Sequence, residues 1–179
     1  EYPRIGDNAM APYDEFAVMI PATPGGWQPP LLPLLTRGAG AYVWSLPVTT
    51  APARALGDEI WGYPKTVADI APRDDPTRRE TTVVEDGDRV ATVGIDWPRT
   101  WERRERFGGY AVREGRLERT PVEFQGKLGA APLSGRVDVD LGDHERADTL
   151  RALDPGTRSM LRFSLEGRIA YGAGRSVER

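Results

Sequence analysis

The run ETTVVEDGDRVATVGIDW, residues 80–97, constrains this chain more than any other stretch, because two β-rich segments meet at Asp86-Gly87. An Asp-Gly pair accepts the positive φ values that a two-residue hairpin turn demands. The flanking Val and Thr residues favour extended backbone. The middle of the chain is thereby committed to antiparallel β structure.

Other segments carry a similar signal. EFAVMIPA (15–22) and AYVWSLPV (41–48) are short, mostly apolar runs that predict largely buried strands. TVADIA (66–71), GRVDVDLG (135–142) and SMLRFSLEGRIAYG (159–172) add alternating or β-branched strands. TPGGWQPPLLPLLTRGAG (23–40) is too rich in Pro and Gly for a regular element and reads as a long loop or flap. Two helices are predicted. TTAPARALGDEIWG (49–62) offers Thr50 as N-cap, Pro52 just inside and a glycine near the end, and ERADTLRAL (145–153) has helical apolar spacing. The expected fold is α+β, mostly antiparallel β with two short helices. At 179 residues the chain reads as a single domain, 1–179. It opens at Glu1 rather than at methionine, so the expectation includes an N-terminal segment upstream of it.

Composition narrows the function. The formal charge is −3, and the arginines are interspersed with acidic residues, which argues against nucleic acid as a partner. RTWERRERFGG (99–109) is locally basic and reads as a solvated loop or short helix face. With no cysteine, thiolate catalysis, disulfides and zinc-thiolate sites are excluded. The single histidine, His144, cannot build a histidine cluster, and its place at the start of the second helix suggests the surface. No metal and no cofactor is expected. No apolar run approaches a membrane span and no signal segment opens the chain, so no membrane partner and a cytoplasmic location are expected.

Of the 24 Lys and Arg residues only Lys65 and Lys127 are lysines. Arginine holds its proton near neutral pH, whereas lysine can serve as an amine nucleophile. Lys127, in EFQGKLG, sits among polar and glycine residues as a solvated turn lysine does. Lys65, in DEIWGYPKT, follows apolar bulk, with Gly62 and Pro64 able to turn the chain and fix the amine's direction. Only about one free lysine amine in a few thousand is neutral at pH 7. Burial among apolar groups or a nearby cation raises that fraction. A neutral amine can condense with a ketone to an iminium, an electron sink for breaking a neighbouring bond. A lysine snorkelling to water at a helix-to-strand junction is the alternative reading of the same residues.

GDEIWGYPKT (57–66) resembles the signature of the acetoacetate decarboxylase family, a Gly-Arg-Glu-x-Trp/Tyr-Gly-Phe/Tyr-Pro-Lys-Lys run carrying the Schiff-base lysine. APYDEFAVMIPA (11–22) is similar to the family's Gly-Pro-Tyr-x-Glu strand, and DHERADTLRALDPGTRSMLRFSLEGRIAYGAG to its C-terminal helix and strand. The resemblance implies a barrel-like fold, a homo-oligomer, and a lyase acting on a small-molecule oxo acid. Lys65 falls on the Schiff-base lysine and Glu15 on the active-site glutamate. Glu59 is expected as a supporting partner, with Trp61 and Tyr63 drying the pocket. Two positions depart from the pattern: Thr66 replaces the second lysine and Asp58 the arginine. Desolvation therefore has more of the activation to supply. The family's substrate-binding arginine has no counterpart by motif, with Arg4 and Arg37 as possible stand-ins. Decarboxylation and aldol condensation with dehydration both remain open. The alternative class is a non-catalytic barrel that binds a small apolar or acidic ligand.

Overall fold

The computed structural model describes residues 11–22, 40–132, 137–154 and 161–177. The proline-rich segment up to residue 39, Arg4 and Arg37 lie outside the described residues. In order, the elements are β1 (Val18–Ala22), β2 (Gly40–Val48), α1 (Ala51–Trp61), β3 (Lys65–Val67), β4 (Asp69–Asp74), β5 (Arg78–Glu85) and β6 (Asp88–Asp96). They continue with β7 (Thr100–Arg113), β8 (Arg116–Pro132), β9 (Val137–Leu141), α2 (Glu145–Ala152), β10 (Leu161–Tyr171) and β11 (Arg175–Ser176). The fold is mostly β with two helices among the described residues. None of these helices is long and apolar enough to cross a membrane.

The strands form two sheets. One runs β1-β2-β7-β8-β10, with β3 also on β2 and β11 on β8; the other runs β4-β5-β6-β9. Among the described residues neither sheet closes into a ring, so barrel-like holds only loosely. Pairing is mainly antiparallel, but β3 and β7 each lie parallel to β2.

The chain divides into two compact units. The first comprises residues 1–67, 104–125 and 168–179, and the second 68–103 and 126–167. In the first, β2 is the buried strand. Val43 and Leu46 pack with Tyr63 and Ala111 in one cluster, and Val48 with Tyr13 and Ala53 in another. Each fully buried Val or Leu contributes about 1.5–3 kcal/mol from apolar area removed from water. β1 departs from its expected burial: Met19 and Ile20 are 49% and 46% exposed.

The second unit holds the predicted hairpin. Asp86 and Gly87 both take positive φ, 54° and 90°, and join β5 to β6. The charged run RTWERRERFGG corrects a sequence expectation, because from Thr100 onward it lies within β7 rather than in a loop or helix. Its residues from Thr100 to Phe107 are exposed, so no buried alternation marks the strand. His144 is a second correction. It is buried as the N-cap of α2, its Nδ1 accepting the Arg146 N–H at 3.1 Å. A helix end needs such an acceptor for its unpaired N–H groups, and an imidazole nitrogen supplies it as a Ser or Asp oxygen does elsewhere. Arg146 in turn donates to the buried Glu85 at 2.9 Å, tying α2 to β5.

Candidate active site

The segment from α1 to β3 explains how a lysine comes to face inward. Thr50 caps α1, its hydroxyl accepting the Ala53 N–H. The helix stops because Gly62 adopts the left-handed conformation, φ 64°, a cap that glycine takes without steric cost. The Gly62 N–H then donates to Asp58 O and the Tyr63 N–H to Gly57 O. Pro64 centres a tight turn in which the Lys65 N–H donates to Tyr63 O at 2.7 Å. The chain is thus folded back along its own helix, and β3 enters the sheet with Lys65 beside Leu46 of β2.

Glu15 reaches the same place from the other end of the sequence. It forms an antiparallel bridge with Val48, flanked by the Phe16 N–H to Pro47 O and the Thr49 N–H to Asp14 O. Pro47 has no N–H to offer, but its carbonyl serves the pairing. The result is a contact of 2.8 Å between Lys65 Nζ and Glu15 Oε2, with side chains 3% and 12% exposed. An ion pair so far removed from water persists only because each charge compensates the other.

One aromatic ring lies against the pair, and others lie in the same unit. The amine stands 5.5 Å from the centroid of the Tyr13 ring, within cation–π range. Burial raises the Tyr13 phenol above the ordinary tyrosine value, and the charge of Glu15 raises it further. Tyr63 is raised for the same first reason; its hydrogen bond with Thr120 opposes the shift and Glu15 adds to it. Both phenols stay protonated at neutral pH. Trp61 is half-buried, stacks on Tyr63 at 6.1 Å between ring centroids, lies 5.3 Å from Tyr171 and donates its Nε1–H to Gly172 O.

Of the five expected residues, the structure sets Lys65 against Glu15, Tyr63 within reach of the Glu15 charge, and Trp61 on Tyr63. Glu59 does not join them, being exposed on α1. Asp58 is also exposed, so the carboxylate beside the amine is Glu15. Strand alternation points Thr66 to the face of β3 opposite Lys65. Its hydroxyl is buried without a hydrogen-bond partner. Lys127 is half exposed, 3.6 Å from Glu166, and lies within β8 rather than in a turn. Sequence reasoning missed Tyr13 and Tyr171. Tyr13 carried a usable signal: two residues before Glu15 in an extended segment, it shares Glu15's face.

Residues 1–115 match the family described as acetoacetate decarboxylase (ADC). The chain belongs to the acetoacetate decarboxylase family. Solved structures agree in fold. The acetoacetate decarboxylase from Legionella pneumophila has a TM-score of 0.61 at 15% identity, over 94% of this chain and 68% of that one. Another acetoacetate decarboxylase gives 0.52 at 18% identity, over 90% and 69%. The enduracididine biosynthesis enzyme MppR, complexed with the condensation product of pyruvate and imidazole 4-carboxaldehyde, gives 0.57 at 16% identity, over 92% and 65%. The chain thus spans about two thirds of the length of these solved structures. No curated protein matches the sequence.

Proposed function

We propose that this family member is a Schiff-base lyase for a small oxo acid, with Lys65 as nucleophile and Glu15 as the group that moves its proton. The observation that supports this most is the buried 2.8 Å contact between the two. A lysine that served only as surface charge has no reason to be buried against a carboxylate, given the cost of desolvating both. Glu15 accepts a proton from Nζ, and the freed amine adds to the substrate's ketone carbon. The carbonyl oxygen is protonated and leaves as water, giving the iminium.

Two outcomes are open to that iminium. In a 3-oxo acid, the electrons of the bond to the carboxylate flow toward nitrogen, releasing CO2 and leaving an enamine. In a 2-oxo acid, loss of a proton from the adjacent carbon gives an enamine that attacks an aldehyde, and water is then eliminated. The structurally similar proteins support either: two are named acetoacetate decarboxylases, and MppR is described with a condensation product of pyruvate and an aldehyde. In both cases Tyr13, Tyr63 and Trp61 limit water at the pair.

A second reading, a ligand-binding member without catalysis, draws support from Asp58 and Thr66, which stand where the signature has cationic residues. Borohydride trapping separates the two. The protein is mixed with acetoacetate, or with pyruvate, then reduced and examined by intact and peptide mass spectrometry. A reduced adduct on the peptide holding Lys65 is the expected result, and the preferred acid names the chemistry. No adduct with either acid favours the binding protein.

A further inference from the structure

Gly57 lies inside α1, in the same first unit as Lys65, and its backbone is not in the left-handed region that favours glycine. Glycine is among the weakest helix formers, so nothing in the backbone explains it there. The side-chain surroundings do. A Cβ built on Gly57 would overlap Cδ and Cε of Lys65 and stand 3.1 Å from Nζ. The stem of the lysine lies directly across the bare Cα, and the chain reversal at Gly62 and Pro64 is what lays it there. The amine at the end of that stem is the one held 2.8 Å from Glu15 and over the Tyr13 ring.

We propose that Gly57 is a positioning residue, whose missing side chain is the slot that carries the Lys65 stem across α1 and delivers Nζ to Glu15. Its catalytic meaning rests on the Schiff-base reading, but the contact itself does not. A methyl group at position 57 displaces the far end of a flexible side chain rather than backbone, so the helix survives and the amine moves. Effective catalysis by a held group depends on placement, and about 1 Å of error can cost on the order of a hundredfold.

The scarcity of lysine makes this directly observable. With lysine carrying a 13C label, the spectrum contains signals from Lys65 and Lys127 alone. In Gly57→Ala the Lys65 ε-CH2 signal should shift and that of Lys127 stay. Borohydride trapping should slow about a hundredfold, while the far-UV circular dichroism stays that of the wild type because Ala favours helix. A Gly57→Ala protein with the wild-type Lys65 signal overturns the proposal, as does a shifted signal with unchanged trapping. The wild type supplies a test independent of the variant's folding: a nuclear Overhauser contact between the Lys65 ε protons and the Gly57 α protons is required, and its absence also overturns the proposal. If wild type gives no adduct yet the Lys65 signal shifts in Gly57→Ala, the slot stands and the Schiff-base reading falls.

Discussion

Lys65 Nζ and Glu15 Oε2 lie 2.8 Å apart across fifty residues of sequence, in side chains 3% and 12% exposed. The pair has two consequences that one substitution separates. Glu15→Gln keeps the shape and removes the charge, so it should lower stability by roughly 3 kcal/mol, as expected when a buried ion loses its partner. It should also slow iminium formation about 10²- to 10⁴-fold, the span of general acid–base contributions. Urea unfolding reads the first and borohydride trapping rates the second; an unchanged rate removes Glu15 from the chemistry.

Lys65→Ala should abolish the trapped adduct, and Lys127→Ala should leave it at wild-type yield. Peptide mapping of the two variants is sufficient. Label that persists in Lys65→Ala would place the reactive amine elsewhere.

The phenols of Tyr13 and Tyr63 predict loss of stability in alkali. Unfolded tyrosines titrate near pH ~10, and burial holds both folded phenols above their ordinary value. Below the unfolded value both states keep their protons and this contribution is fully present. Above it the unfolded chain releases protons that the folded chain retains, so stability falls as pH rises toward the folded values. Tyr13 and Tyr63 should therefore ionise only together with unfolding, followed by phenolate absorbance. Tyr13→Phe with Tyr63→Phe should flatten the alkaline decline.

Arg146→Ala should cost about 3 kcal/mol, because it strands the Glu85 carboxylate, whose side chain is 5% exposed. That corresponds to a melting temperature lower by on the order of 10 °C. Calorimetry of the single variants and of Glu85→Ala with Arg146→Ala should show the double variant losing less than the sum. Additive losses would mean the pair is not coupled.

Much of the fold was legible because local chemistry and tertiary structure agreed. Asp86-Gly87 turned as its backbone preferences demand, and Thr50, Pro52 and Gly62 bounded α1. β7 escaped because Trp101 to Phe107 alternate no apolar residues with polar ones: the exposed strand is made by its pairing, not by its own pattern. Its turn, Glu114-Gly115, has both φ values positive but lacks the Asn or Asp that announces such a turn. His144 was misplaced because histidine is an uncommon cap, and only the fold shows that Nδ1 has an N–H to accept. At the site, Lys65 and Glu15 were readable from two ordered motifs. Glu59 was not separable from them by spacing, since one position along a helix decides whether a carboxylate faces inward or outward.

The register of β2 gives the site a property of arithmetic. Leu46 stands beside Lys65 and Val48 opposite Glu15, so one strand indexes both partners two residues apart. Because side chains alternate, inserting or deleting a single residue at position 47 would turn one partner away from the other. The interval from 46 to 48 is therefore a fixed length of the site, whatever happens around it.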